Sequence, residues 1–328
     1  MLKTAPDPIQ LVEQALARRA ALLEAPEPSA CRLVHDRADG LEGLVIEKYA
    51  DVLIVQRHEG RLKLTEPQLR SVAEHVRNRV GARAVYLKEF VRDRAEQNSA
   101  LEARHRDARP WLGEPVEPVR TVVEDGLRLL IRPYDGFSVG LFLEHRPNRQ
   151  RVRSMAARRR VLNTFCYTGG FSVAAAGGGA DHVTSVDVSR RYLAWNRENF
   201  AANNLDLGPH RFYCSDVFDF YRRAHRNGWR YDLVILDPPS FARLRRPKRV
   251  FVLAEQLERL VTEGVELLDP GGIVLAAVNH RGIDRDRLRA ALENAGQRLH
   301  CRQVDVPEPP ADFAGDPDYS KTIIAQFE

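Results

Sequence analysis

The residues best suited to chemistry are glycines and acidic side chains that follow short apolar runs in the second half of the chain. Thr168, Gly169 and Gly170 follow the run that starts at Val161, and Asp187 closes the next such run. Missing side chains let a backbone turn tightly and approach a ligand. Asp187 lies 18 residues after Gly169, close to the spacing of about 20 at which an acid meets a ribose hydroxyl. The pattern predicts a nucleoside-cofactor site, although it is not a G-x-G-x-x-G motif and does not identify the cofactor.

Two more acidic side chains follow strand-like runs further along the chain. Asp216 comes after a short run, and Asp237 follows the apolar run 231–236. Pro238 and Pro239 then stop strand pairing, because proline has no backbone N–H to donate. Ligands of open parallel sheets bind beyond the carboxyl ends of the strands. We therefore expect Asp216 to accept a hydrogen bond from an adenine amino group and Asp237 to face the bound ligand.

Alternating strand and helix patterns supply the elements that position these residues. Val183–Val186 is predicted to be a strand, and residues 250–268 an amphipathic helix before a buried strand at Ile273–Val278. Ser189 is suited to cap the helix that follows the first of these strands. Such alternation is typical of a mainly parallel sheet with helices on its faces. The predicted fold of this region is α/β and Rossmann-like.

The first third of the chain shows a separate α/β pattern. Residues 8–24 have helical apolar spacing, and short strand-like runs with turns follow. A charged, proline-containing stretch at 105–118 is predicted to be a linker, with a hairpin after it. We therefore expect a small N-terminal α/β domain at 1–110 and a second domain at 119–328 that begins with this hairpin.

Composition limits the class of protein. The chain has 328 residues, of which 44% are hydrophobic, and this is enough for two cores. No apolar run approaches the roughly 18 residues of a spanning helix, and the N-terminus lacks the apolar centre of a signal peptide, so we expect a cytoplasmic protein with no membrane partner.

The acidic tail that includes Asp312 is interpreted as a solvated loop. Without C-x-x-C spacing, the cysteines are predicted to be free thiols that bind no metal. They are Cys31, Cys166, Cys214 and Cys301.

Arginines cluster on both sides of the predicted site, although the formal net charge is only +5. One cluster lies within 149–160, before the glycine turn, and the other comes shortly after Pro239. Clustered arginine beside a site suits a polyanion such as RNA, and a solvated basic surface is the alternative. The residues predicted to contact RNA are Arg149, Arg243, Arg245, Arg246, Lys248 and Arg249.

The chain from about Val119 to Glu328 resembles class I S-adenosylmethionine-dependent methyltransferases, in particular the bacterial 23S rRNA large-subunit methyltransferase group. The matching motifs are Phe142-Leu143-Glu144-His145-Arg146 with Arg149, Asn163 to Gly170, Asp187-Val188-Ser189, Asp237-Pro238-Pro239-Ser240-Phe241 and Asn279-His280-Arg281-Gly282. The resemblance implies S-adenosyl-L-methionine as cofactor, a seven-stranded catalytic sheet, and 23S rRNA or a large-subunit precursor particle as partner. The small first domain resembles one in the same group and is expected to serve the RNA substrate. We do not expect the PUA-type module with which the group often begins.

The resemblance also implies roles for residues. Thr168 and the two glycines after it would surround the methionine part of the cofactor, and Arg146 would face its carboxylate. The predicted cofactor site consists of Phe142, Arg146, Asn163, Phe165, Tyr167, Thr168, Gly169, Gly170, Asp187, Val188, Ser189, Asp216, Val217, Phe218 and Asp237. The residues predicted to line or orient the target base are Asp237, Pro238, Pro239, Ser240, Phe241, Asn279 and Arg281.

The choice of acceptor atom on the target base can be narrowed by the chemistry that each candidate atom requires. Cytosine C5 is a poor nucleophile and needs a cysteine that adds at C6. In this group that cysteine stands near D-P-P or just before the position of Asn279, and neither place has one here. Cys166 and Cys214 are interpreted as small core residues. Amino-group acceptors usually meet an aromatic ring directly after D-P-P, where this chain has Ser240, although the ring of Phe241 could stack on a base.

Guanine N7 already has an available lone pair, so its methylation needs positioning and an environment that accepts a shift of charge. The segment from Asn279 to Gly282 resembles N-K-R-G in the guanine-N7 half of the bifunctional bacterial 23S rRNA methyltransferases. We therefore favour guanine N7. His145 and His280 are candidate general bases, but N7 transfer requires none, so a structural or phosphate-contacting role stays open for each of them. Cytosine C5, another substrate, and a nonenzymatic RNA-binding ribosome-assembly factor stay open as alternatives.

Overall fold

The computed structural model describes residues 6–91, 99–245, 248–296 and 300–328, apart from the side chains of residues 99, 100, 244, 245 and 248. The chain forms two compact units. The first comprises Met1–Leu143 with Ala311–Asp316, and the second comprises Glu144–Pro310 with Pro317–Glu328.

The first unit is a small α/β domain. Its strands β1 to β5 form one sheet in that order, in which only β3 and β4 are parallel neighbours. Leu33, Ile46 and Val55 from this sheet pack with Leu69 and Val76 from the long helix α3. The elements are α1 (Pro8–Arg18), α2 (Ala20–Glu24), β1 (Ala30–His35), β2 (Leu44–Tyr49), β3 (Val52–His58), α3 (Glu66–Arg79), β4 (Ala84–Phe90), α4 (Ser99–Arg104), β5 (Leu112–Gly113), β6 (Arg120–Glu124) and β7 (Leu127–Ile131).

The hairpin β6–β7 belongs to the first unit, whereas the sequence placed it at the start of the second domain. Ser29, which precedes β1, explains the difference: its N–H donates to the Val123 carbonyl at 2.9 Å, and its Oγ accepts from the Val123 N–H at 2.6 Å. Arg120 also pairs with Asp51 at 2.6 Å. These contacts join residues far apart in sequence, so local patterning could not reveal them.

The first unit also takes a short segment from near the C-terminus. Asp312, which the sequence placed in a solvated tail, is 0% exposed. Its Oδ2 accepts from the Arg32 N–H at 2.8 Å, and its carbonyl accepts from Arg19 at 3.0 Å. The Arg32 guanidinium lies 4.1 Å from the ring centroid of Phe313. The tail is therefore part of a packed core at this point.

The second unit contains the predicted Rossmann-like sheet. Seven strands lie in the order β10-β9-β8-β11-β14-β16-β15, and all neighbours are parallel except the two pairs that include β16. The predicted mainly parallel seven-stranded fold is confirmed. The elements are α5 (Arg146–Met155), β8 (Arg160–Thr164), α6 (Gly170–Gly177), β9 (His182–Asp187), α7 (Arg190–Ala202), β10 (Arg211–Cys214), α8 (Val217–Arg226), β11 (Tyr231–Leu236), β12 (Phe241–Arg245), β13 (Lys248–Val252), α9 (Leu253–Val265), β14 (Leu268–Val278), α10 (Arg285–Ala295), β15 (Cys301–Asp305) and β16 (Lys321–Phe327).

The stretch after β11 differs from its prediction. β12 and β13 form a separate antiparallel hairpin, with Phe241 opposite Val252. The sequence placed a loop here, followed by a helix from residue 250. Phe251 is 4% exposed and its ring lies 5.2 Å from that of Phe165, so burial of this ring holds β13 in place and delays the helix until Leu253.

Within the described residues, every helix is too short or too polar to span a bilayer.

Candidate functional site

The turn between β8 and α6 has an unusual backbone. Phe165, Tyr167 and Gly169 have φ values of 51°, 50° and 87°, in the left-handed region that side chains disfavour. A Cβ atom added at Gly169 would lie 1.9 Å from Oδ1 of Asn196. Only glycine therefore fits at this position, as the sequence predicted from the motif.

Two asparagines of α7 hold this turn, and neither is among the residues predicted from the sequence. Asn199 donates its Nδ2 to the Thr168 carbonyl at 2.8 Å, and Asn196 donates to the Cys166 sulfur at 3.6 Å. Both side chains are at most 1% exposed. Their spacing of three places them on one helix face, and buried polar residues on an apolar face are the signal that could have identified them.

Asp187, at the carboxyl end of β9, is hydrogen-bonded both to the glycine turn and to the residue that caps α7. Its Oδ2 accepts from the Tyr167 N–H at 3.0 Å, and its Oδ1 accepts from the Ser189 N–H at 2.8 Å. Burial raises the pKa of the Asp187 carboxyl, and these backbone N–H groups oppose the increase. The structure thus brings together the predicted residues of the glycine turn and of the β9 end.

Asp216 begins α8 as its N-cap residue. Its Oδ1 accepts from the Phe218 N–H at 3.0 Å and from the Asp219 N–H at 3.2 Å. Val217 and Phe218 are buried in the first turn of the helix. Asp216 therefore stabilises α8 in addition to any contact with an adenine.

Asp237, at the end of β11, pairs with a buried histidine. Nε2 of His145 lies 3.2 Å from Oδ1 of Asp237. The neighbouring Glu144 accepts from Nδ2 of Asn279 at 3.3 Å, and Ser240 donates its Oγ to the Asn279 carbonyl at 2.9 Å. The segment before α5 thus connects the ends of β11 and β14, which carry the residues predicted to line the target base.

The other predicted site residues are more dispersed. Phe142 lies in the first unit and is 45% exposed. Asn163 is 0% exposed beneath α6 and donates to Ser172 at 2.9 Å. Arg146 begins α5, and Arg281 lies in the exposed turn after β14. These four positions stay predictions as cofactor or base contacts.

Among the arginines predicted to contact RNA, Arg149 requires a correction. It is 4% exposed on α5, so its guanidinium is not presented to a large polyanion. Arg243 is exposed on β12 and lies 5.4 Å from the Phe241 ring centroid. Arg249 on β13 instead pairs with Asp219 at 2.9 Å. The described residues do not include Arg246, and they include only the backbones of Arg245 and Lys248.

The residues at this sheet edge fit a nucleoside cofactor. The first three strands of the unit carry, at their carboxyl ends, a tight turn, the partly buried carboxylate of Asp187 and the helix-capping Asp216. Oδ1 atoms of Asn163 and Asn196 are buried and have no hydrogen-bond partner within the part of the chain that the structure describes. A ligand with donor groups would be accommodated at such an edge.

Comparisons with known proteins agree with this fold. A family model described as S-adenosylmethionine-dependent methyltransferase matches residues 81–324. The chain is 33% identical over 327 residues to a Ribosomal RNA large subunit methyltransferase of Deinococcus radiodurans, which covers 97% of this chain and 78% of that protein. It is 34% identical over 271 residues to Ribosomal RNA large subunit methyltransferase K/L of Hahella chejuensis, covering 83% of this chain and 34% of that protein.

A solved structure also matches nearly the whole chain. The crystal structure of SMU.776, titled as that of a methyltransferase complexed with SAH, matches with a TM-score of 0.84 and 27% identity. The match covers 97% of this chain and 80% of that chain.

The mainly parallel seven-stranded sheet, its glycine turn and the acids at its strand ends define the Rossmann-like class of nucleoside-cofactor enzymes. Within this class, the chain belongs to the S-adenosylmethionine-dependent methyltransferase family. The predicted cofactor, S-adenosyl-L-methionine, is confirmed.

Proposed function

We propose that this methyltransferase modifies RNA of the large ribosomal subunit, at guanine N7 and without a covalent enzyme–base intermediate. The names of its relatives, which are large-subunit ribosomal RNA methyltransferases, support the substrate. The observation that supports guanine N7 as the acceptor atom is the set of side chains that follow β11 and β14. They are Asp237, Ser240 and Asn279, and none is a thiol.

The chemistry divides between the cofactor and the protein. The cofactor supplies a methyl group activated by a sulfonium. The chain's residues have to hold the acceptor atom in line with that methyl and to tolerate positive charge on the base. The Asp237–Phe241 loop, tied through Ser240 to Asn279, would hold the base. Guanine N7 needs no proton removed before attack, so no general base is assigned.

The cysteines support a mechanism without a covalent intermediate. Burial raises the pKa of the Cys166 thiol well above its usual value, with a further contribution from Asp187. Cys214, which the sequence placed in the core, is instead exposed at the end of β10, and its sulfur lies 3.4 Å from the Val188 carbonyl. Neither position lies on the β11 or β14 ends, where a nucleophile for cytosine C6 would stand.

Replacement of all four cysteines by serine is expected to leave methyl transfer within about threefold of the wild-type rate, because no thiolate takes part. The measurement is transfer of radiolabelled methyl from S-adenosyl-L-methionine to large-subunit ribosomal RNA from a strain that lacks the gene. The variant's folding should be verified by its melting temperature, since Cys31 and Cys166 are buried. A folded variant without activity would contradict the proposal and favour cytosine C5.

The modified nucleoside itself provides the direct test of function. Nucleosides from ribosomal RNA of a strain lacking this gene should contain less 7-methylguanosine than those of its parent, as measured by mass spectrometry. Loss of 5-methylcytidine instead would overturn the acceptor assignment. An unchanged profile would overturn the proposed substrate.

The small first unit, with its five-stranded sheet, is proposed to contribute to binding this RNA.

The hairpin β12–β13 is proposed to contact the RNA beside the target base. Phe241 and Arg243 are two residues apart on β12 and therefore share a face of the hairpin. Val250, opposite Arg243, is 54% exposed on that face. An exposed ring flanked by a guanidinium suits a stacked base and its phosphate.

Arg243→Gln is expected to weaken RNA binding roughly fivefold at low salt and to reduce the slope of log affinity against log salt by about 1, because one phosphate contact is lost. Arg249→Gln is the matched control, since the same change of charge occurs on the same hairpin at a guanidinium already paired with Asp219. It should leave the salt slope unchanged. Equal effects of both variants, measured by filter binding to the same RNA, would argue against a specific contact at Arg243.

A further inference from the structure

His145 occupies a buried position between elements that carry the proposed target-base residues. It is 3% exposed, in the turn before α5, and its ring centroid lies 5.5 Å from that of Phe171 on α6. Its Nε2 atom is 3.2 Å from Oδ1 of Asp237. The Asp237 side chain itself is 22% exposed. A buried imidazole therefore supports a carboxylate that reaches the surface of the site.

The other ring nitrogen of His145 is also held. Nδ2 of Asn148 lies 3.0 Å from Nδ1 of His145 and donates to Oγ1 of Thr322 at 2.9 Å. Because an amide nitrogen has only hydrogens to offer, Nδ1 must accept in this arrangement. The single proton of the neutral ring is then on Nε2, where it donates to Asp237. Asn148 and Thr322 are 3% and 2% exposed, so water does not replace these bonds.

The same cluster can hold a second proton. If the Asn148 amide turns over, its oxygen faces Nδ1 and can accept from Nδ1–H, and the Thr322 hydroxyl can donate to the same oxygen. Burial disfavours the imidazolium, but the neighbouring carboxylates, Asp237 foremost, together raise the pKa of His145 above its usual value. Glu144 acts in the same direction, and Arg149 on α5 opposes it. The contacts from α6 and β16, through Phe171 and Thr322, are uncharged.

We propose that His145 is a positioning residue that orients the Asp237 carboxylate through Nε2–H and that its Nδ1 proton sets the charge of the pair. This inference rests on the proposed function, which places Asp237 beside the acceptor base. The pair has a net charge of zero when Nδ1 is protonated and of −1 when it is not. During transfer, the carbon–sulfur bond breaks as the bond to the acceptor forms, and the sulfonium's positive charge moves to the base. A net charge of −1 beside the base stabilises that cation.

The direction of the pH dependence follows from these charges. The slow form has the imidazolium and predominates below the raised pKa, so the rate rises as the pH rises through it. Folding stability changes in the opposite direction. A histidine whose pKa is raised by folding contributes stability that is fully present below its ordinary pKa and is lost as the pH rises through the raised one. Rate and stability should therefore change in opposite directions over the same pH range.

The test compares His145→Gln with His145→Ala in single-turnover methyl transfer to the same ribosomal RNA between pH 5 and 9. Gln has an Nε2 donor at similar reach but does not titrate. We expect the wild-type rate to rise about tenfold across the range, and His145→Gln to stay near the upper rate throughout. His145→Ala should be roughly 100-fold slower at every pH, because the carboxylate loses its orientation. Cofactor affinity, measured by calorimetry, should be unchanged in His145→Gln, which keeps the Asp237 carboxylate oriented.

Asn148→Asp provides a second, isosteric variant. A carboxylate opposite Nδ1 stabilises the second proton, so the rise in rate should move to higher pH, and it should have no such effect in the His145→Gln background. A pH profile in His145→Gln that matches the wild type, or full activity of His145→Ala, would overturn the inference.

A measurement without substrate separates this inference from the proposed function. The difference in melting temperature between the wild type and His145→Gln should decrease as the pH rises from 5 to 9. A constant difference would overturn the assigned protonation whatever the RNA substrate is, whereas failure of the RNA assay alone would count against the function.

Discussion

Gly169→Ala is expected to lower the affinity for S-adenosyl-L-methionine by at least about 100-fold. The added Cβ would lie 1.9 Å from Oδ1 and 2.1 Å from Cγ of Asn196, so either the turn or α7 must move. The φ of +87° adds strain of about 1 kcal/mol for any residue other than glycine. Because the turn is proposed to surround the methionine part of the cofactor, its displacement weakens cofactor binding. Isothermal calorimetry with the purified variant measures the effect.

Gly228→Ala is the matched control for backbone strain. Gly228 has a φ of +65°, and a Cβ there would meet nothing within 4 Å. This variant has a similar strain in the same unit but no collision, and it should retain wild-type cofactor affinity. Asn196→Ala added to Gly169→Ala should restore part of the stability, because the collision partner is gone. Equal cofactor affinities of Gly169→Ala and the wild type would exclude the turn from the cofactor site.

Asp187→Ala should also reduce cofactor affinity by about 100-fold. Charge-assisted hydrogen bonds to ribose hydroxyls contribute roughly 1.5–3 kcal/mol. The backbone N–H groups of Tyr167 and Ser189 would lose their acceptor at the same time. Burial raises the pKa of Asp187, so the folded state binds its proton more tightly than the unfolded chain. Its contribution to stability therefore falls as the pH rises from the ordinary value toward the raised one. Removing the charge offsets part of the lost bonding, and stability should fall less than affinity.

Asp181→Ala changes the same charge at the opposite end of β9. Asp181 is exposed just before the strand begins, and its replacement should leave both the melting temperature and the cofactor affinity unchanged. Calorimetric titration of both variants distinguishes a ribose contact from a general loss of negative charge. Comparable affinities for Asp187→Ala and Asp181→Ala would refute the assigned contact.

The catalytic sheet could be predicted because its signals are local. Glycine at 169 is required by a backbone φ that other residues resist, and the acid at 187 is the last residue of its strand. The apolar run 231–236 is long enough for a central strand and is stopped by prolines. Each of these patterns lies within a few residues, so it is visible without knowing what packs against it.

The contacts that hold the site could not be predicted in the same way. Asn196 and Asn199 lie on α7, about 30 residues after the turn that they contact. The burial of Phe251 creates the hairpin β12–β13 where helical spacing alone favours a helix. These outcomes depend on neighbours that come from distant parts of the sequence.

The sequence by itself determined the strand, turn, helix and strand from Val161 to Asp187, the strand at 231–236 and the acids at the strand ends, because φ preferences and apolar periodicity act over short stretches. Only the tertiary structure decided that Arg149 is buried, that Asp312 joins the first unit's core, and that His145 lies between Asn148 and Asp237. A charged side chain is exposed or buried according to whether distant partners can satisfy it. Those partners are brought together only when the chain folds.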